Sequence, residues 1–144
     1  QAEDGIRDSS TSRGLGDVYK RQVLIKDNHI DSSGTIEKAI ISTKNYLDKN
    51  NLNIPVYIEV RNREELYEVI KHKWINRIIL DNMSTFETKE SVSFIDGRFL
   101  IESSGNINGK NIIEYADTGV DFVSIGSLTH SASIIDMSMI KALD

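Results

Sequence analysis

Charged side chains stand at the ends of short apolar runs in this chain. Lys26 follows the run at residues 23–25, Glu59 lies near the end of the run at 55–60, and Asp81 follows the run at 78–80. An ammonium in a dry cleft suits an anionic substrate. Carboxylates stabilise positive charge that develops in a transition state, and they hold Mg²⁺ through water. We therefore predict that these three residues are catalytic and also bind substrate. The alternative is that they are solvated or form caps and salt bridges at the rim of the fold.

Two later apolar runs end in loops that contain serine and glycine. Backbone N–H groups at such turns and at helix starts bind phosphate well. The predicted phosphate-binding residues are Ser104, Gly105 and Asn106 in the first loop, Ser124, Ile125 and Gly126 in the second, and His130 as an added donor. Considered alone, the two loops would more simply be tight turns that need glycine.

Three polar residues follow Lys26 directly. Asp27 and Asn28 have a plain structural interpretation as turn formers, because both residue types favour turns. His29 is a candidate for binding substrate, and the competing interpretation is a structural histidine whose ring nitrogens are satisfied within the fold.

Five short apolar runs rich in Ile, Val or Phe predict buried parallel strands, and segments with helical period separate them. One face of the first such segment carries Ile36, Ala39, Ile40 and Leu47, and one face of the second carries Leu66, Val69 and Ile70. We predict that Ser84, with Glu87, caps the helix after Asp81, and that a later helix begins near Asn108 with Ile112, Ile113 and Ala116 on one face. This alternation predicts an α/β fold with a parallel sheet and right-handed crossovers. The candidate residues then lie at the carboxyl ends of the strands, where barrels of this kind place their active sites. A doubly wound open sheet would place its ligand similarly. We favour a TIM-like barrel, since no Gly-x-Gly-x-x-Gly turn follows the first run and the two late phosphate-type loops suit a barrel.

The chain is shorter than a complete barrel. A whole barrel takes about 250 residues, whereas this chain has 144. The pattern therefore predicts an incomplete α/β barrel over residues 23–144. Residues 1–22 show neither helical nor strand period and resemble translated adapter or vector DNA, so we interpret them as a non-native or disordered leader.

Composition excludes several classes of protein. The chain has 22 acidic and 17 basic residues and a net charge of −5, and its basic residues are scattered, which argues against a nucleic-acid partner. It has no cysteine, which excludes disulfides and thiolate metal sites and is compatible with the predicted cytoplasmic location. No apolar run is long enough to cross a membrane, so no membrane partner is predicted.

The strand-end motifs together resemble one family, quinolinate phosphoribosyltransferase, also called nicotinate-nucleotide pyrophosphorylase (carboxylating). The matching pieces include Lys-Asp-Asn-His at 26–29, Leu-Asp-Asn-Met-Ser at 80–84, Glu-Ser-Ser-Gly at 102–105 and Ser-Ile-Gly-Ser-Leu-Thr-His-Ser at 124–131. They occur in family order across nearly all of residues 23–144. This chain departs from the family pattern at Tyr57, where a glutamate is usual, and at Asn106, where a glycine is usual. Asn tolerates positive φ best after glycine, so we expect the loop to survive.

The resemblance implies a function in NAD biosynthesis. Such enzymes are pentosyltransferases that join quinolinate to phosphoribosyl pyrophosphate with Mg²⁺, giving nicotinate mononucleotide, pyrophosphate and carbon dioxide. They place an α/β sandwich domain before an incomplete barrel and act as homodimers. By this resemblance the chain is the C-terminal part of the barrel and lacks the upstream arginine motifs that hold the quinolinate carboxylates. We therefore expect it to show negligible activity alone.

The resemblance also suggests roles for the candidate residues. Lys26 would pair with a carboxylate of quinolinate. Glu59 and Asp81 would stabilise the positive charge that develops at C1 of the ribose when pyrophosphate leaves, and would hold Mg²⁺ indirectly. Two alternatives stay open: a relative that acts on nicotinate or another aromatic acid, and a non-catalytic barrel fragment that binds phosphate.

Overall fold

A computed structural model describes residues 22–130 of the chain. It contains five strands: β1 (Val23–Ile25), β2 (Val56–Val60), β3 (Arg77–Asp81), β4 (Leu100–Ser104) and β5 (Phe122–Val123). Its six helices are α1 (Asp27–Ser33), α2 (Ile36–Lys49), α3 (Arg63–Val69), α4 (Thr85–Ile95), α5 (Ile112–Ala116) and α6 (Ser127–His130). None of these helices is long and apolar enough to cross a membrane.

The five strands form one parallel sheet in the order β1-β2-β3-β4-β5. Each strand therefore lies beside the next one in the sequence. A doubly wound sheet would reverse its strand order at one point, and no reversal occurs in this sheet. Sequential order is that of a barrel wall, so the prediction of an α/β fold with parallel barrel-type strands is confirmed.

Side chains alternate between the two faces of the sheet. The face we call the core face carries Ile25, Val56, Ile58, Val60, Ile78, Leu80 and Ile101, all buried under the helices. The opposite face, which we call the inner face, carries Leu24, Tyr57, Glu59, Arg77, Ile79, Glu102 and Phe122 in matching register. Among these inner-face residues only Ile79 is buried. The core therefore lies between the sheet and the helices.

Helical periodicity correctly predicted which faces of the first long helices pack. In α2 the residues Ile36, Ala39, Ile40 and Leu47 are buried, as expected from their spacing. In α3, Leu66 and Val69 are fully buried. Burying a Leu, Ile or Val side chain stabilises a fold by roughly 1.5–3 kcal/mol. These side chains therefore stabilise the packing of α2 and α3 against the core face of the sheet.

Two local predictions were wrong. Asp27 and Asn28 do not form a turn, because they open α1, whose buried residue Ile30 packs into the core. The fifth helix begins at Ile112 and not near Asn108, since the side chain of Asn111 accepts a hydrogen bond from the Asn108 N–H and closes a turn there. This short helix has no buried residue, so its apolar side chains do not form the packed face expected from their spacing.

The predicted start of α4 at Ser84 is confirmed. The Ser84 Oγ accepts a hydrogen bond from the Glu87 N–H at 3.3 Å, and the Glu87 carboxylate accepts one from the Ser84 N–H at 2.8 Å. This reciprocal capping box satisfies donors that the helix itself leaves without partners. The hydrogen bonds from the Ser84 hydroxyl and N–H lower the pKa of Glu87 below its ordinary value of 4.5.

We expect the contribution of Glu87 to stability to depend on pH. The pKa of Glu87 is lower in the fold than in the unfolded chain. The stabilisation is therefore present at a pH above the pKa of the unfolded chain and is lost as the pH falls through the pKa of the folded state. Thermal melts of wild type and Glu87→Gln should therefore differ most near neutral pH and converge in acid. A difference that stays constant across that range would show that the charge of Glu87 plays no part.

Candidate functional site

Lys26, Glu59 and Asp81 are brought together at the carboxyl ends of β1, β2 and β3. The Nζ atom of Lys26 lies 3.5 Å from Oε1 of Glu59. The Lys26 side chain is 46% exposed and that of Glu59 is 16% exposed, so the pair forms a cation with solvent access beside a partly desolvated carboxylate. This arrangement can pair with an anionic ligand from the solvent side.

The pKa of Glu59 is raised above its ordinary value of 4.5. Burial is the largest cause, because desolvation disfavours the charged form. Lys26 acts in the opposite direction, and the neighbouring negative charges of Asp81 and Asp27 raise the pKa further. Asp81 is therefore close enough to Glu59 for their charges to interact. A cation placed between the two carboxylates would relieve this repulsion.

The first predicted phosphate loop follows β4 and is hydrogen-bonded to the end of β3. The Asn106 Nδ2 donates to Oδ1 of Asn82 at 2.9 Å, and the Asn82 N–H donates to the Ser104 carbonyl at 2.8 Å. Asn106 has a φ of 54°, which supports the expectation that Asn keeps this loop intact where the family usually has Gly. Gly105 has a φ of 90°. The loop thus depends on two residues in the left-handed region.

Gly105→Ala should disrupt this loop. A Cβ at Gly105 would lie 2.3 Å from Oδ1 and 2.9 Å from the backbone N of Asn82, and its φ is strained for any residue with a side chain. We expect a clear loss of stability, on the order of 1–3 kcal/mol from backbone strain alone. Urea unfolding of this variant beside Gly109→Ala, where a Cβ has open space, measures the effect. Equal stability of the two variants would contradict the close packing of Gly105 against Asn82.

The second predicted phosphate loop follows β5. The Ser124 N–H donates to the Ser103 carbonyl at 2.9 Å, which continues the pairing with β4. No atom of residues 22–130 lies within 4 Å of a Cβ built at Gly126, and its φ is not positive. The described part of the fold therefore does not need glycine there for its own geometry. The side chain of His130 lies outside the described residues.

Sequence reasoning missed a charged cluster on the inner face. The Arg77 Nη1 donates to Oε2 of Glu102 at 2.7 Å, and the Ser124 hydroxyl donates to the other carboxylate oxygen. The Arg77 guanidinium also lies 3.7 Å from the centre of the Phe122 ring and 4.5 Å from that of Tyr57. The signal available in the sequence was alternation, because Arg77 and Glu102 occupy inward positions in strands whose other face is apolar.

An open pocket of about 380 Å³ covers part of the inner face. It is lined by Glu59, Ser104 and Ser124 from the predicted site and by Tyr57, Arg77, Glu102 and Phe122 from the charged cluster. A larger cleft of about 610 Å³ lies between the starts of α3 and α4, but none of the predicted site residues lines it. We therefore assign the candidate site to the inner face.

His29 lies apart from this pocket. It lines a smaller cleft of about 240 Å³ between β1, α1 and α2. Its Nδ1 accepts a hydrogen bond from the Lys26 N–H at 3.0 Å. This contact fits the structural interpretation of His29, and its role in substrate binding stays a prediction.

Residues 22–130 hold no group of three or more His, Cys, Asp or Glu side chains that could bind a metal ion. Glu59 and Asp81 are two interacting carboxylates on neighbouring strands. Mg²⁺ usually keeps several waters and is bound through one or two carboxylates plus the phosphates of a substrate. The residues present therefore fit a Mg²⁺ ion that arrives with a phosphorylated substrate, and they do not fit a dedicated protein cage.

Comparison with known families gives one consistent result. The family model described as "Quinolinate phosphoribosyl transferase, C-terminal domain" matches residues 14–140. A protein of Nicotiana glauca named "Quinolinate phosphoribosyltransferase [decarboxylating] 2, mitochondrial" is 39% identical and aligns with 81% of this chain. A protein of Methanocaldococcus jannaschii named "Probable nicotinate-nucleotide pyrophosphorylase [carboxylating]" is 36% identical over 88% of the chain. This chain spans 37% of the length of the first relative and 47% of the second.

Solved structures agree with these relatives. The crystal structure of a NadC deletion mutant superposes with a TM-score of 0.75 at 35% identity and covers 88% of this chain and 44% of the other. The nicotinate-nucleotide pyrophosphorylase of Francisella tularensis superposes with a TM-score of 0.67 at 41% identity, covering 76% of this chain and 37% of the other.

Proposed function

The chain belongs to the quinolinate phosphoribosyltransferase family, and on that premise we propose that it forms the phosphoribosyl-binding part of such an enzyme. The proposed reaction transfers phosphoribosyl from phosphoribosyl pyrophosphate to quinolinate. It releases pyrophosphate and carbon dioxide and gives nicotinate mononucleotide for NAD biosynthesis. Since the chain spans less than half the length of the relatives compared above, the complete activity is proposed for a protein that carries this segment.

One observation supports this function above the others. A carboxylate pair and two phosphate-type loops meet at the carboxyl edge of one sheet, beside the inner-face pocket. A phosphoribosyl donor needs both kinds of group, because its leaving pyrophosphate and 5′-phosphate are anions whereas its C1 becomes positive as the bond breaks. The N–H donors of the loops suit the anionic phosphate groups. The carboxylates on neighbouring strands suit the positive charge at C1.

Each residue then has a distinct task. Lys26 offers an ammonium toward a carboxylate of quinolinate. Glu59 and Asp81 stabilise the positive ribose carbon and orient the ribose hydroxyls. Gly105 and Asn106 in the first loop, and Ile125 and Gly126 in the second, donate backbone N–H groups to phosphate oxygens, because the Ser124 N–H already donates to the Ser103 carbonyl. Mg²⁺, brought with the pyrophosphate group, would neutralise charge on the leaving group and be held through water by the same carboxylates.

Assembly and location are also proposed for the full-length protein. We propose that the full-length protein is a homodimer, as the resemblance implies. The cytoplasmic location stays a prediction, because plant relatives are named as mitochondrial or chloroplastic proteins.

NMR titration of the isotopically labelled chain with phosphoribosyl pyrophosphate and Mg²⁺ tests the proposal. We expect the amide signals of Asn106 and Gly126 to shift on binding. Gly126→Ala should weaken binding because it adds a methyl group where a phosphate approaches, whereas Gly109→Ala, which also has open space for a Cβ, should not. An absence of binding by the wild-type chain, or equal binding by both variants, would contradict the proposed phosphate loop.

The choice of aromatic acid is tested in a full-length protein that carries this segment. Quinolinate and nicotinate are each supplied with phosphoribosyl pyrophosphate, and product formation is followed. Turnover with quinolinate and release of carbon dioxide support the proposal. Turnover with nicotinate alone would establish the alternative of a relative acting on another aromatic acid.

A further inference from the structure

Asn82 joins the two halves of the candidate site. It follows Asp81 at the end of β3, and its backbone N–H donates to the Ser104 carbonyl at 2.8 Å. Its side chain contacts Asp81 on one side and Asn106 on the other. One residue therefore touches both the carboxylate assigned to the ribose and the loop assigned to phosphate.

The orientation of the Asn82 amide follows from its two partners. Oδ1 accepts from the Asn106 Nδ2 at 2.9 Å, so that end of the amide is held by a donor. The Nδ2 end is then directed to Oδ2 of Asp81, to which it donates at 3.1 Å. A reversed amide would place donor against donor at Asn106 and acceptor against carboxylate at Asp81.

Asn106 supplies the side-chain donor that holds the Asn82 amide. A glycine at this position would have no side chain and could not donate to Asn82. The contact therefore orients the amide that in turn donates to Asp81.

The backbone around Asn82 is equally constrained. Its φ is 54°, in the left-handed region that Asn tolerates better than most residues. Gly105 approaches it so closely that a Cβ there would lie 2.5 Å from its Cγ. Asn82 thus contacts both the end of β3 and the loop after β4.

We propose that Asn82 is a positioning residue that orients the Asp81 carboxylate with respect to the Ser104–Asn106 loop. Asn106 acts through Asn82 by holding its side-chain amide in place. The inference rests on the proposed function, because it concerns the ribose and the phosphate of the same donor. It predicts that a ligand spanning both groups depends on Asn82 more than a ligand that touches only the loop.

Two probes distinguish a ligand that spans both groups from one that contacts only the loop. Ribose 5-phosphate presents hydroxyls to Asp81 and a phosphate to the loop, whereas inorganic phosphate reports on the loop alone. The variants are Asn82→Gly, Asn106→Gly and the double variant, since glycine keeps the left-handed φ while removing the side chain. Asn51→Gly is the matched control: Asn51 also has a positive φ, of 52°, and lies in the loop after α2.

Asn82→Gly should weaken ribose 5-phosphate binding by roughly tenfold, as expected for loss of a hydrogen bond to a charged group, and should weaken inorganic phosphate by less than about threefold. The double variant should bind no more weakly than Asn82→Gly, because Asn106 acts through Asn82. Asn51→Gly should leave both affinities unchanged. If Asn82→Gly does not fold, Asn106→Gly keeps the Asn82 backbone and removes only the donor that orients its amide, so it should still weaken ribose 5-phosphate binding more than phosphate binding.

The outcomes are distinguishable. Wild-type chain that binds neither probe overturns the proposed function together with this inference. Wild-type chain that binds both, with equal ribose 5-phosphate affinity in Asn82→Gly or, where that variant does not fold, in Asn106→Gly, overturns the inference alone. Losses that multiply in the double variant would also overturn it, since they would show that Asn106 and Asn82 act independently.

Discussion

Replacing Glu59 or Asp81 with alanine, in a full-length protein that carries this segment, is expected to lower the single-turnover rate roughly 10²- to 10³-fold. Loss of one preorganised group that stabilises developing charge commonly costs about 2–4 kcal/mol. Quinolinate is an anion before the reaction begins, whereas the positive charge at C1 develops only in the transition state. The carboxylates should therefore affect the rate more than the affinity for quinolinate.

Lys26→Ala should show the opposite balance. Its partner carboxylate on quinolinate is already charged in the bound state, so affinity should fall markedly while the saturated rate changes less. Asp48→Ala serves as the control, because Asp48 is an exposed carboxylate on α2 paired with Lys44. Wild-type rates for saturated Glu59→Ala and Asp81→Ala would show that these carboxylates are structural.

Leu80→Ala is expected to cause a large loss of stability. Leu80 is fully buried on the core face of a central strand. Truncating such a leucine removes buried apolar area and leaves a cavity, at a cost of about 2–5 kcal/mol. Urea unfolding at equilibrium measures the difference from wild type. Leu52→Ala is the control, since Leu52 is 41% exposed and should change stability little. Similar values for the two variants would contradict the assigned core face.

The elements that the sequence predicted well are those determined by local pattern. The strands ending at Val60 and Asp81, the buried stripe of α2 and the capping box at Ser84 each depend on residues within a few positions of one another. Alternation and helical period report which side chains leave water, and burial is the dominant favourable term in folding. The parallel orientation of the strands could also be predicted, because a helical crossover connects each strand to the next.

The contacts that the sequence could not predict join residues far apart in the chain. Arg77 and Glu102 meet only because β3 and β4 pair in one particular register. The bond from Asn106 to Asn82 likewise spans two loops. Helix α1 was missed for a different reason, since Asp27 and Asn28 favour turns and helix starts alike, and burial of Ile30 decides between them.

The separation of the sheet into a core face and an inner face has a consequence for how such a gene can change in length. Side chains in a strand alternate with a period of two, so shifting one strand by a single residue exchanges its two faces. In β2 that shift would bury Tyr57 and Glu59 and expose Ile58 to the pocket. We therefore expect one-residue insertions or deletions within the strands to be far more damaging than length changes in the loops that connect helices and strands.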